Sequence, residues 1–169
     1  MVILDETKEK DVFRDTPVRL LGYANEVGES FRSLVHVNLV RLSYVIASGY
    51  VVADTFHKSE KAYNMQHKTR EIRRQQVTRA AVDTLIWQAF ASVIIPGFTI
   101  NRICWLSLKV LARSVPKWPL AIRKWTTTGI GLGSIPFIVH PIDTGVHYIM
   151  DRSVRRWYQE LPEVVVVDK

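Results

Sequence analysis

Three stretches of this chain are apolar and nearly free of charge: Leu34–Ala53, Thr84–Ile100 and Thr126–Ile142. Between them the charged residues gather in blocks. They do not recur once per turn, as they would along the wet face of a soluble amphipathic helix. Crossing a bilayer core takes roughly 17–25 residues of helix, and the three stretches fall near that length. The pattern predicts an all-α fold, an integral membrane helical bundle.

Each stretch is interrupted. Leu34–Ala53 contains His36, Asn38 and Arg41, so only Leu42–Ala53 is clean. An arginine in mid-membrane costs at least about 2.5 kcal/mol, whereas near a helix end its guanidinium can reach the interface. The run Asp83 to Arg102, DTLIWQAFASVIIPGFTINR, is broken by Pro96 and Gly97. Thr126–Ile142 is cut by Pro136 and by His140-Pro141, so its second half is not expected to be a straight helix. The expectation is a bundle of Pro/Gly-broken helices.

Charge then bears on topology. Residues 1–32 carry seven acidic and five basic side chains, and the segment from Asp151 onward carries four of each. By contrast, His57–Arg79 holds seven basic against two acidic residues, and Arg102–Lys124 holds six basic and no acidic ones. Basic loops stay on the side from which a segment inserts. Three simple crossings would put the two basic segments on opposite sides. If Pro96-Gly97 is a structural hinge, residues 84–112 form a hairpin that returns both segments to one side, which predicts an even number of crossings. The domain expectation follows: an acidic tail at 1–12, one membrane-embedded helical domain at 13–158 and a tail at 159–169.

The net charge of +7 points to an anionic partner. Lys117, Arg123 and Lys124 beside Trp118 and Trp125 form a candidate contact for anionic lipid such as cardiolipin. Trp105, Trp157, Tyr148 and Tyr158 also lie near ends of apolar stretches, where amphipathic rings favour the headgroup region. A nucleic-acid module is disfavoured, because no recognition motif occurs and the charge lies around apolar runs.

Little in the chain reads as chemistry. Its one cysteine, Cys104, excludes an intramolecular disulfide framework and reads as a packed thiol. GIGLG at Gly129–Gly133 lacks dinucleotide-site spacing. Gly129 with Gly133, and Gly49 with Ala53, instead have the small-xxx-small spacing of helix packing, or are merely tolerated glycines. His140, Asp143 and His147 imitate a metal cluster, but Pro141 disrupts their spacing and structural use is favoured. No nucleophile elbow or phosphate loop appears, and an enzyme is not expected. Asp54, Asp83 and Asp143 each stand beside an apolar run before threonine (ADT, VDT, IDT). Helix capping is the favoured reading, with Arg79 as a partner of Asp83, and ion or proton passage the alternative. Before the first apolar stretch, Leu20, Leu21, Tyr23, Val27 and Phe31 can form one helix face, with Asn25, Glu26 and Glu29 on the other. That helix either faces a partner or interface, or packs on the bundle.

Several strings carry a family resemblance. Phe13-Arg14-Asp15-Thr16-Pro17-Val18-Arg19 and Leu21–Arg32 (LGYANEVGESFR) resemble the opening of the mitochondrial fission process proteins, also called the mitochondrial 18-kilodalton protein family. Ser43–Asp54, Trp87–Arg102, Trp118–Thr128 and His140–Asp151 are similar to its later blocks in the same order, over roughly Phe13 to Trp157. The tails, the basic loop His57–Arg79 and Arg41 depart from the pattern. The resemblance implies a non-enzymatic, multi-pass protein of the mitochondrial inner membrane that supports fission and membrane integrity. It would need no cofactor and would contact other inner-membrane or division proteins. The five acidic residues among the first fifteen do not suit a cleavable presequence, so internal import signals are expected. The broken helices and boundary carboxylates also fit a small carrier or channel-like subunit, which would have to assemble with copies of itself.

Overall fold

The computed structural model describes residues 17–65 and 69–159. The tail 1–12, nearly all of 159–169, and the side chains of Trp157 and Tyr158 lie outside the described residues. Every described element is helical. A 3-10 helix, Pro17–Tyr23, leads into α1 (Ala24–Phe31), followed by α2 (Val37–Asn64) and α3 (Arg70–Gln88). A π-helical segment, Ala89–Ile94, connects directly to α4 (Ile95–Ser114), and α5 (Leu120–Arg152) and α6 (Val154–Gln159) complete the order.

Side chains fix the starts of α2 and α3. His36 Nδ1 accepts the Asn38 N–H at 3.2 Å, and Thr69 Oγ1 accepts the Ile72 N–H at 3.3 Å. Both satisfy donors that have no partner inside a helix. The segment His57–Arg79, expected as a loop, is therefore mostly helix. Its Lys, Arg, Glu and Gln residues are good helix formers, so α2 and α3 continue past their apolar sequence.

The hairpin expected at Pro96-Gly97 does not form. Arg70–Ser114 runs on as one helix of 45 residues, about 68 Å long at 1.5 Å per residue. Proline lacks the N–H of the normal ladder, and the wider π-helical segment immediately before it absorbs the mismatch. There the Ile95 N–H bonds the Phe90 carbonyl, five residues back. Asn25 Nδ2 donates to the Val93 carbonyl at 3.0 Å, so α1 also supports the irregular backbone. Helix α5 likewise passes through Pro136 and Pro141, both on its exposed side, where their rings displace no packed neighbour. With the hairpin gone, the two basic segments sit at opposite ends of one long helix. The charge argument for returning them to one side falls with it.

Polarity is arranged from the outside in. Large apolar side chains point outward along every long helix, among them Val45 (66% exposed), Phe56 (72%) and Phe137 (79%). Helix α2 and the Arg70–Ser114 helix are long and apolar enough to cross a membrane, and only 22% of each apolar window is buried. A core helix of a soluble domain would bury most of such a window. Inside the bundle, small and medium apolar residues such as Val40, Ala47, Ile100 and Cys104 share the space with polar groups.

Candidate functional site: the polar interior

Helix α1 is short but central, packed against α2, α4 and α5. It presents to them the face that the sequence suggested for an interface or partner: Asn25, Glu26, Glu29 and Ser30 are all 2% exposed or less. Leu20, Leu21 and Val27 point outward instead. Three glycines make this seating possible, the first being Gly28 of α1, where a Cβ would collide with the Ser43 side chain of α2. A Cβ on Gly97 of α4 would stand 2.5 Å from Tyr44 Oη, and one on Gly131 of α5 would stand 2.6 Å from Cys104 Sγ and 2.8 Å from Ser30 Oγ. The Gly129, Gly133 and Gly49 positions expected to pack helices meet nothing within 4 Å. Gly131, between the first two, makes the close approach.

Glu29 is fully satisfied. Arg32 Nε and Nη2 each donate to it at 2.6 Å, Tyr44 Oη at 2.9 Å and Asn101 Nδ2 at 2.8 Å. Burial alone would push its carboxyl up, but the hydrogen bonds from Arg32, Asn101 and Tyr44 outweigh it and hold the group below its ordinary value. One turn earlier Glu26 is the opposite case. Burial pushes its carboxyl up to about 8, more than a backbone hydrogen bond draws it down, and Asp143 adds to the rise. Its Oε2 has no hydrogen-bond partner, and neither has Asn25 Oδ1.

Against the end of the 3-10 helix, at Gly22 and Tyr23, lies a cavity of about 420 Å³ whose walls include Asp54, Asp83, Asp143, Trp87, His147 and Arg155. The three aspartates, expected at helix starts as caps, are all inside helices, because α2, α3 and α5 extend beyond their apolar stretches. Asp54 Oδ2 accepts Lys58 Nζ at 2.8 Å and Gln88 Nε2 at 2.6 Å, and Gln88 Oε1 in turn accepts Ser92 Oγ at 2.7 Å. Its other oxygen, Oδ1, has no partner although the residue is 1% exposed. Arg155 of α6 grips Asp83 with two bonds of 2.8 Å and reaches Asp151 at 2.7 Å and His147 Nδ1 at 3.1 Å. The bonds to Asp83 raise the guanidinium above its ordinary value. Among the described residues no group of three His, Cys, Asp or Glu could hold a metal ion.

The expected lipid contacts gather at another place. Lys117 and Trp118 lie in the connection between α4 and α5, and Arg123, Lys124 and Trp125 in the first two turns of α5. Lys117, Trp118 and Trp125 are exposed, and Arg123 and Lys124 half-buried. Lys109 over the Trp105 ring at 4.8 Å and Arg102 over Phe98 at 5.1 Å carry the same alternation of cation and aromatic ring up α4. Sequence reasoning did not single out Arg32, Tyr44, Asn101, Gln88 or Arg155. The three- or four-residue spacings of Glu29–Arg32, Gln88–Ser92 and Asp151–Arg155 were usable signals; the bonds of Tyr44 and Asn101 to Glu29, of Gln88 to Asp54 and of Arg155 to Asp83 form only through tertiary packing.

The comparisons with known proteins agree with one another. The family described as Mitochondrial 18 KDa protein matches residues 10–83 and 65–150. The chain is 56% identical over 150 residues to mitochondrial fission process protein 1 of Homo sapiens, covering 89% of each chain. It is 53% identical over 160 residues to the Caenorhabditis elegans protein of that name, covering 95% of this chain and 96% of that one. The Danio rerio protein of the same name is 53% identical over 154 residues, 91% of this chain and 92% of the relative. No solved structure matches.

Proposed function

The chain belongs to the mitochondrial 18 KDa protein family, and on that premise we propose that it is a non-enzymatic, multi-pass protein of the inner mitochondrial membrane. In this reading it supports mitochondrial fission and inner-membrane integrity through contacts with lipid and with other proteins. The relatives' shared name supports the role in fission. The inverted polarity supports the membrane: apolar side chains outside and carboxylates, amides and hydroxyls inside. Water would hydrate the wrong surface of such a bundle, whereas lipid matches its exterior and internal partners satisfy most of its polar groups.

Two crossings, α2 and the Arg70–Ser114 helix, keep the count even. The basic and aromatic surface at Lys117, Trp118, Arg123, Lys124 and Trp125 is the contact for anionic headgroups, cardiolipin among them, because fixed cations beside interfacial rings match a phosphate layer. Alkaline carbonate extraction of mitochondria, followed by protease treatment of tagged mitoplasts, tests the placement. The protein should remain in the pellet with both termini in one compartment. Release into the supernatant would overturn membrane residence, and termini in different compartments would overturn the even count. The carrier or channel-like reading is favoured by one observation, the carboxylate-lined cavity inside the bundle.

A further inference from the structure

The cavity does not account for all of the buried polarity. Glu26 is not on its wall, yet it is 1% exposed, has an unpartnered Oε2 and feels the charge of Asp143, which is on the wall. Beyond Glu26 the polar groups continue. Ser30 Oγ, one turn on, donates to the Glu26 carbonyl at 2.9 Å and stands where α1 meets Gly131 of α5. One turn before Gly131, Thr127 and Thr128 are 1% and 2% exposed, and neither hydroxyl has a partner. They lie within a turn or so of Arg123 and Lys124, at the basic start of α5. Buried oxygens without a partner thus recur along the bundle, from Asp54 at the cavity through Glu26 on α1 to Thr127 and Thr128 near the opposite end of α5.

The dispersal of these groups over α1, α2 and α5 selects the ligand. A metal ion or ammonium group needs several oxygens around one point, and no described cluster could hold a metal. Single carboxyl and hydroxyl groups in series suit a proton, which needs one oxygen at a time. Partnerless buried oxygens are costly in an apolar bundle, and an ionisable residue among membrane helices is a functional candidate.

We propose that this series conducts protons along the bundle, with Glu26 as the site each proton must occupy. A proton entering the cavity reaches Glu26 by way of Asp143. The carboxylate oxygen forms an O–H bond and becomes a neutral acid. That bond then breaks, and the hydroxyls of Ser30, Thr127 and Thr128 relay the proton, each accepting one as it releases another, which restores the carboxylate. The titratable groups on and around α1 are Glu29 on the same helix, Arg32 just after it, Tyr23 of the 3-10 helix, Tyr44 and Asp54 of α2, Cys104 of α4 and Asp143 of α5. Glu29 is locked by Arg32, Tyr44 and Asn101, so it stays ionised while Glu26 cycles.

This inference rests on the membrane reading only in requiring insertion. Purified full-length protein is reconstituted into phosphatidylcholine vesicles, insertion is checked by flotation in alkaline carbonate, and proton entry driven by a potassium diffusion potential is followed with a trapped pH dye. Inserted protein should admit protons at least tenfold faster than protein-free vesicles, and Glu26→Gln should remove at least nine-tenths of that excess. Inserted protein no faster than empty vesicles, or a Glu26→Gln variant as fast as the unaltered protein, overturns the proposal. If Glu26→Gln does not insert, infrared spectroscopy of the unaltered protein decides. A protonated-carboxyl band should disappear as the pH rises from about 6 to about 10, either side of the Glu26 value of about 8, and a band that ignores pH overturns proton access.

Discussion

Replacing Gly97 by alanine should destabilise this protein, and the same replacement should cost much less once Tyr44 has become phenylalanine. The added Cβ would stand 2.5 Å from Tyr44 Oη, 3.1 Å from Asn25 Nδ2 and 3.2 Å from Tyr44 Cε1. A phenol usually swings aside, but this one is tied to Glu29 at 2.9 Å. Overpacking of this kind costs roughly 1–3 kcal/mol, against about 1 kcal/mol gained by alanine over glycine inside a helix. Gly97→Ala alone should therefore lose about 0–2 kcal/mol. Tyr44→Phe removes a hydrogen bond to an ionised carboxylate, a loss of about 1.5–3 kcal/mol. It also removes the nearest atom in the way but leaves Asn25 Nδ2 at 3.1 Å and Cε1 at 3.2 Å, contacts that roughly offset the helical gain, so the double variant should lie within about 0.5 kcal/mol of Tyr44→Phe alone. Reversible denaturant unfolding in mixed micelles, followed by circular dichroism, measures all four proteins. Additive effects within about 0.5 kcal/mol would falsify the close approach of α1, α2 and α4 argued from Gly97.

Three further outcomes are expected. Val45→Asp places a charge on the outward face of α2, at a cost of about 2.5–3.5 kcal/mol in a bilayer centre, so the variant should move into the carbonate-soluble fraction; full retention in the pellet counts against a lipid-facing α2. Asp83→Asn removes the carboxylate gripped by Arg155, and amide hydrogen exchange in Val154–Gln159 should accelerate several-fold with little change in α1; unchanged exchange means that another contact seats α6. Glu29 is held below its ordinary carboxylate value of 4.5, so its ionisation stabilises the fold at pH above that value, and this contribution is lost as the pH falls through the lower folded-state value. Unfolding measured from about pH 7 to about pH 3 should show that loss in the unaltered protein and a flatter profile in Glu29→Gln; parallel profiles would remove Glu29 from the account.

The apolar stretches were legible in the sequence because helix interiors and lipid select the same side chains. Leu34–Ala53 lies almost wholly in α2, and Thr84–Ile100 and Thr126–Ile142 lie inside longer helices. How far those helices extend was not legible, since polar helix formers continue them without an apolar signature. That is why Asp54, Asp83 and Asp143 looked like boundary residues and proved to be interior ones. The periodicity around α1 separated Asn25, Glu26 and Glu29, now buried, from Leu20, Leu21 and Val27, now exposed, but could not say which face turns inward, because that depends on the surrounding solvent. Pro96-Gly97 was read as a turn from the break it makes in the apolar run and from the basic segments on either side. What keeps the chain helical there is the π-helical segment together with Asn25, which is 68 residues away from the carbonyl it meets.

The π-helical segment also sets the rotational phase of everything after it. Inward residues step from Thr84 to Gln88 to Ala91 at ordinary helical spacing, then five positions to Pro96, then on to Ile100 and Cys104. Without that longer step, a regular helix would bring positions near Arg102 and Trp105 to the inner face, and both are now exposed. Each residue turns an α-helix by about 100°. Forcing the unaltered sequence into a regular helix would therefore swing α4 by about that angle, driving an arginine and a tryptophan into the space held by α1, whereas deleting one residue of Ala89–Ile94 would restore the ordinary step and leave Ile100 and Cys104 facing inward. The length of a six-residue segment thus decides which side of a twenty-residue helix faces the rest of the protein.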